Sequence, residues 1–196
     1  MAAQLFLITP PAADLESFPK KLMSVLAVAE VSALLVRRGT RDDAAYAALV
    51  KALVNVGQGA GCAVLVEGDA ALAKKLGADG VHVGDDEAAR AAVKALKPAM
   101  IVGAGPFASR HDAMTVGELD IDYLLFGPLD GAATPADVDL ATWWTDTFEI
   151  PAIFSDPSAA AAESHGAEFV ALGEALWAAP NPAEALAAVA AALEQI

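Results

Sequence analysis

The chain has 196 residues, with 12 Lys and Arg against 26 Asp and Glu, and so a formal charge of −14. Its 56 % hydrophobic and 19 % charged residues are those of one packed domain over 1–196 and exclude a disordered chain. The acidic balance excludes nucleic acid and anionic membrane as main partners, and the single cysteine, Cys62, excludes a disulfide framework or a multi-cysteine metal site. The apolar start MAAQLFLITP has no basic segment before it, which predicts no signal peptide and a cytoplasmic location.

Short aliphatic runs recur along the chain, each bounded by Gly, Pro or Asp: LFLIT at 5–9, ALLVR at 33–37, AVLVE at 63–67 and GVHVG at 80–84. MIVGAG at 100–105, YLLFG at 123–127, AIF at 152–154 and FVALG at 169–173 complete the series. Four to six apolar residues without strict alternation predict strands covered on both faces. Ala-rich segments between them have helical periodicity, and helices are predicted over 42–56, 86–96, 135–147 and 182–194. Eight alternating strand–helix units predict a parallel sheet closed as a compact (β/α)8 TIM barrel, in preference to a doubly wound open sheet. Asp69 reads as a helix cap. Of the adjacent Trp143 and Trp144, one should be buried and the other half-exposed.

Chemistry in such a barrel belongs at the C-terminal ends of the strands. All seven lysines fall within helical segments or at their ends, so the expected rim is acidic with one arginine pair, Arg37 and Arg38. On residue type alone these arginines read as a solvated loop pair bonded to neighbouring acids. His82, between Val81 and Val83, faces the barrel or the helix layer and reads first as a neutral core histidine. His111 and His165 read as solvated. Asp85, Asp86 and Glu87 read first as the start of a helix, where they satisfy free amides and the dipole.

The segment LGADGVHVGDDEAARA at 76–91 resembles the fourth strand of thiamine phosphate synthases and their sister thiazole tautomerases, L-G-A-D-G-V-H-L-G-Q-x-D. The resemblance extends in register through FLITP, LLVRRGTRD (family Q-x-R-x-K), IVGAGPFASRHDA, DIDYLLFGPLDG and the stretch from IPAIF to ALW, so all eight units are covered. It implies a barrel that displaces pyrophosphate from an aminomethylpyrimidine diphosphate with a thiazole phosphate. That reaction uses magnesium on the diphosphate, cationic donors for the leaving group and a second phosphate cradle.

Carried over by position, the resemblance implies substrate contacts at Arg37, Arg38, His82, Gly127 and Thr134, and magnesium ligands among Glu67, Asp86 and Glu87. The ligand is a small molecule at the C-terminal mouth, in a chain that can form a homo-oligomer. No catalytic residue is assigned.

Many family positions are changed. Leu35 and Gly39 replace the glutamine and lysine of the second strand, Gly68 the third-strand aspartate, and Gly105 the fifth-strand serine. LDGAATP has no lysine, and Pro128 stands where tautomerases carry their acid–base histidine. Ser155-Asp156 and Gly173-Glu174 replace the phosphate-binding glycines and serine, with Asp156 and Glu174 expected to cap the following helices and repel phosphate. The expectation is a synthase-like barrel with reduced or lost activity; the alternative is a non-catalytic or repurposed small-molecule-binding paralogue.

Overall fold

A computed structural model describes residues 2–194. Eight parallel strands, β1 (Gln4–Ile8), β2 (Ala33–Val36), β3 (Ala63–Glu67), β4 (Gly80–Val83), β5 (Ile101–Ala104), β6 (Tyr123–Phe126), β7 (Ala152–Ser155) and β8 (Phe169–Leu172), form a closed barrel in chain order. Closure is made by β8 on β1, where Gln4 pairs with Phe169 and Phe6 with Ala171. The expected (β/α)8 barrel is the fold observed.

The helices are α1 (Phe18–Leu26), α2 (Asp43–Gly59), α3 (Ala70–Leu76), α4 (Asp86–Leu96), α5 (Arg110–Gly117), α6 (Pro135–Thr147), α7 (Glu174–Ala178) and α8 (Pro182–Leu193). Their starts follow from local chemistry. Asp42, Asp69, Asp85 and Ser109 each accept a bond from the amide three residues on, satisfying a donor that the first helical turn leaves free. Thr134 and Asp137 form a reciprocal capping box on α6.

The expected strand–helix alternation fails at one place: residues 156–168, between β7 and β8, contain no helix. The run 159–162 is four alanines bounded by Pro157 and by Ser164 and Gly166. It is too short to nucleate a helix and has no large apolar residue to anchor one. A cavity of about 370 Å³ lies beneath it. His165, expected to be solvated, packs edge-on to Phe154 there, with 4.6 Å between ring centroids.

Residues alternate between the lumen and the helix layer. Phe6, Ile8, Leu35, Leu65, Tyr123, Leu125 and Ile153 fill the lumen. The outward side chains divide into two clusters: one where β1–β3 and β8 meet α1, α2 and α8, and one where β4–β7 meet α4–α6. Trp144 in α6 is fully buried and Trp143 half-buried, as the periodicity requires.

The N-terminal end is tied by a repeated device. A carboxylate placed just before an even-numbered strand accepts the amide near the start of the strand preceding it: Asp79 from Val64 (2.7 Å), Asp122 from Val102 (2.7 Å) and Glu168 from Ala152 (2.8 Å). Polar side chains at this end therefore serve stability, which leaves the other end for chemistry.

Candidate functional site

Val36 of β2 pairs with Val66 of β3, so the next residues, Arg37 and Glu67, emerge side by side at the mouth. Arg37 Nε donates to Glu67 Oε1 at 3.0 Å. The same guanidinium crosses the barrel, where Nη1 donates to the Leu129 carbonyl (2.9 Å) and Nη2 to Asp130 Oδ2 (3.0 Å). Its side chain is only 11 % exposed. Arg37 is thus a strap from β2 to the loop after β6.

Glu67 is equally engaged. Its second oxygen accepts the Arg38 amide at 2.6 Å, and its own amide donates to the Tyr46 hydroxyl at 2.8 Å. Tyr46, fully buried on α2, in turn donates to the Val36 carbonyl at 2.7 Å. Burial, together with the Glu67 charge, raises the Tyr46 hydroxyl above its ordinary pKa of 10.0.

The Arg38 side chain turns away from the mouth. It pairs with Asp43 at the start of α2 and lies 5.2 Å over the Tyr46 ring. Arg41 braces the loop by donating to the carbonyls of Pro11, Arg38 and Ala13. A Cβ at Gly39, where φ is +59°, would fall 2.2 Å from the Pro11 oxygen. The family's lysine therefore cannot be restored at this position unless the β1 loop moves.

Beneath the strap, His82 points into the lumen and is 1 % exposed. Its Nε2 lies 3.0 Å from the Gly105 carbonyl and its Nδ1 2.9 Å from the Tyr123 hydroxyl. The carbonyl can only accept, so Nε2 carries the proton and the Tyr123 hydroxyl donates to Nδ1. Burial, aided by the nearby Arg37 charge, pushes the His82 pKa down from 6.5 to about 4. His82 is a neutral core histidine with both ring nitrogens satisfied. The Gly105 position, where the family has serine, would bring a Cβ within 2.3 Å of the Leu125 oxygen on β6.

The remaining sequence-predicted residues have local partners of their own. Gly127 (φ +85°) is buried, with the Ser155 carbonyl 2.1 Å from where its Cβ would be. Thr134 is exposed, and its hydroxyl is held 2.7 Å from Asp137 in the α6 cap. Asp86 pairs with Arg90 one turn along α4 at 2.9 Å, and Glu87 is exposed. Among the described residues, no group of three or more His, Cys, Asp or Glu gathers as a metal site. Glu67 has both oxygens engaged by donors, so these residues do not fit a resident magnesium ion.

At the seventh and eighth loops the anticipated caps are not the ones observed. No helix follows Asp156, whose carboxylate accepts the Ser158 hydroxyl at 3.0 Å. Gly173, not Glu174, stands at the N-cap of α7. Two amides of these loops are taken: Ala175 donates to the Pro157 carbonyl (2.8 Å) and Ser158 to the Gly131 carbonyl (3.2 Å). Ser155, fully buried, donates to the Pro128 carbonyl at 2.7 Å.

What remains open at the mouth is a cavity of about 530 Å³ between the β1, β6 and β8 loops. Pro10, Pro11, Leu129 and Trp177 supply apolar walls, and Asp130 and Glu174 supply carboxylates. Trp177 is fixed by its indole N–H, which donates to the Ile8 carbonyl at 2.7 Å.

Closed parallel strands, with polar side chains gathered where β2, β3, β4 and β6 end, define a (β/α)8 barrel whose C-terminal mouth is polar. Residues 5–176 match the family model for thiamine monophosphate synthase, and the chain belongs to that family. It is 34 % identical to the thiamine-phosphate synthase of Hyphomonas neptunium over 189 residues, which cover 89 % of this chain and 86 % of the relative. It is also 34 % identical to that of Rhodospirillum centenum over 197 residues, covering 95 % and 94 %. Among solved structures, thiamine phosphate pyrophosphorylase from Pyrococcus furiosus superimposes with a TM-score of 0.81 at 20 % identity, covering 98 % of this chain and 96 % of the other. The 3-hexulose-6-phosphate synthase of Salmonella typhimurium gives 0.75 at 16 % identity, covering 100 % and 99 %. These two share the fold. No helix among the described residues is long and apolar enough to cross a membrane.

Proposed function

We propose that this chain is a thiamine monophosphate synthase-family barrel whose mouth takes a small uncharged or cationic molecule, and in which diphosphate displacement is reduced or lost. The observation that carries this reading is the strap. Arg37 already spends its guanidinium on Glu67, Asp130 and the Leu129 carbonyl. An incoming diphosphate would have to break those bonds and then sit beside Glu67, Asp130 and Glu174.

Magnitudes support the same conclusion. Loss of one preorganised donor costs on the order of 3 kcal/mol of transition-state stabilisation. Lysine is absent from the second-strand and sixth-loop positions, and glycine replaces serine on the fifth strand. No step is assigned to magnesium, because Glu67 is held by Arg37 and Arg38 and Asp86 is paired with Arg90.

A second reading is favoured by identity across nearly the whole length of two thiamine-phosphate synthases. In it, Arg37 releases Asp130 and turns to the leaving diphosphate. Thermal shift with the pyrimidine diphosphate, the thiazole phosphate and magnesium separates the two. A ligand at a hundred times its Kd stabilises by about 2.7 kcal/mol, several degrees for a domain of this size. The proposed reading expects no shift with either phosphorylated precursor; a shift of several degrees establishes the second.

A further inference from the structure

The N-terminal end of the lumen, opposite the mouth, is open. A cavity of about 270 Å³ enters the barrel there, lined by residues of seven of the eight strands. The strand register explains why it is not filled. Ala33 of β2 pairs with Ala63 of β3, so at the rim these two strands offer only methyl groups, with Leu65 two residues further along the lumen. Aromatic rings line the cavity as well: Phe6 and Tyr123 meet edge to face at 5.8 Å, and Phe169 lies at the rim. Ala63, Ile101 and Phe169 are partly exposed, so the cavity opens to solvent.

We infer that this cavity is a binding site for a neutral, planar aromatic molecule of one or two rings. The size suits such a ligand, since an apolar cavity of about 150 Å³ already holds benzene. Walls of small residues facing aromatic rings match a flat molecule with a ring edge or face to offer.

The lip selects against charge. Asp122 stands there as a carboxylate, which repels anions in a chain of charge −14. Its oxygens are already engaged by Lys97 (2.7 Å) and the Val102 amide (2.7 Å), so a cation gains little. Ser32 and Gln4, bonded to each other at 2.7 Å, give the lip a polar edge for a single ring N–H or hydroxyl.

Tyr123 also connects this end to the centre of the barrel, because its hydroxyl donates to His82. A ring stacked on Tyr123 is therefore felt at the His82 imidazole. The site lies at the opposite end of the barrel from the mouth and is independent of what the mouth binds.

Indole titrated into the full chain, followed by amide and imidazole NMR, tests the inference. Saturable shifts are expected at the amides of Ala33, Ala63 and Ile101 and at the His82 ring, with the amides of Thr9 and Leu129 unmoved. Ala63→Leu fills the cavity and should weaken indole at least tenfold; Ala33→Val is the milder variant should Ala63→Leu fold poorly. The wild-type shift map decides by itself in either case. No saturable binding up to the solubility of indole, shifts confined to the mouth, or unchanged affinity in the folded filled variant would overturn the inference.

Discussion

Tyr123 occupies the space that a side chain at Gly103 would fill: a Cβ there would fall 1.9 Å from the phenol Cζ. The ring on β6 reaches across β5 only because β5 carries no side chain at this level, and so its hydroxyl meets His82 on β4. Three strands are thereby joined through one glycine. Gly103→Ala should cost about 1–3 kcal/mol through overpacking, read as a lowered urea midpoint. In a Tyr123→Leu background the same change should cost less, since neighbours that share a space are not additive. An unchanged midpoint for Gly103→Ala alone would refute this packing.

His82 should make stability depend on pH. Its pKa is about 4 when folded, against an ordinary 6.5, so between these values the unfolded chain binds a proton that the folded chain does not. Stability is fully present above about pH 6.5 and is lost as pH falls towards 4, by about 3 kcal/mol from this one group. Chemical denaturation at pH 7 and pH 4.5 measures it. His82→Asn should flatten the profile between those points, and an identical slope in the variant would exclude His82 as its source.

Tyr46 holds the base of the strap. Removing its hydroxyl in Tyr46→Phe leaves the Val36 carbonyl and the Glu67 amide without their partner. A loss of about 1–3 kcal/mol is expected, seen as a lower Tm. The wild-type Tm in this variant would show that the hydroxyl is not a structural partner.

The strap can be cut without changing side-chain size. Glu67→Gln with Asp130→Asn removes both carboxylates that neutralise Arg37, at a stability cost of about 1–2 kcal/mol from the weakened charged bonds. Calorimetry with pyrophosphate should then show affinity at least tenfold above the unaltered chain. Equal affinity in both would mean that Arg37 is not held back by its partners.

Much of this architecture is written in local pattern. The apolar runs mark all eight strands, and the bounds of α4 and α6 follow from Asp85, Thr134 and the prolines beside them. The missing helix after β7 escapes such reading, because alanine composition suggests a helix where length and anchoring forbid one.

The site is less readable for a different reason. Glu67 looks like a metal ligand until the pairing of Val36 with Val66 puts Arg37 beside it. Tyr46, Tyr123 and Arg41 gain their roles from partners 21, 41 and 28 residues away, Glu67, His82 and Ala13. The only signal in the sequence that bears on this is the glycine at 39, 103 and 105, each of which leaves space that another strand or loop takes.

The most direct test of the central claim is the turnover number for thiamine phosphate formation from the pyrimidine diphosphate and thiazole phosphate, with magnesium in excess. Because the Arg37 guanidinium is held by carboxylates and the family's lysines and fifth-strand serine are absent, turnover below about 0.01 per second is predicted, each lost donor costing roughly a hundredfold or more. Product formed at an ordinary enzyme rate, roughly 1 per second or faster, would contradict the account.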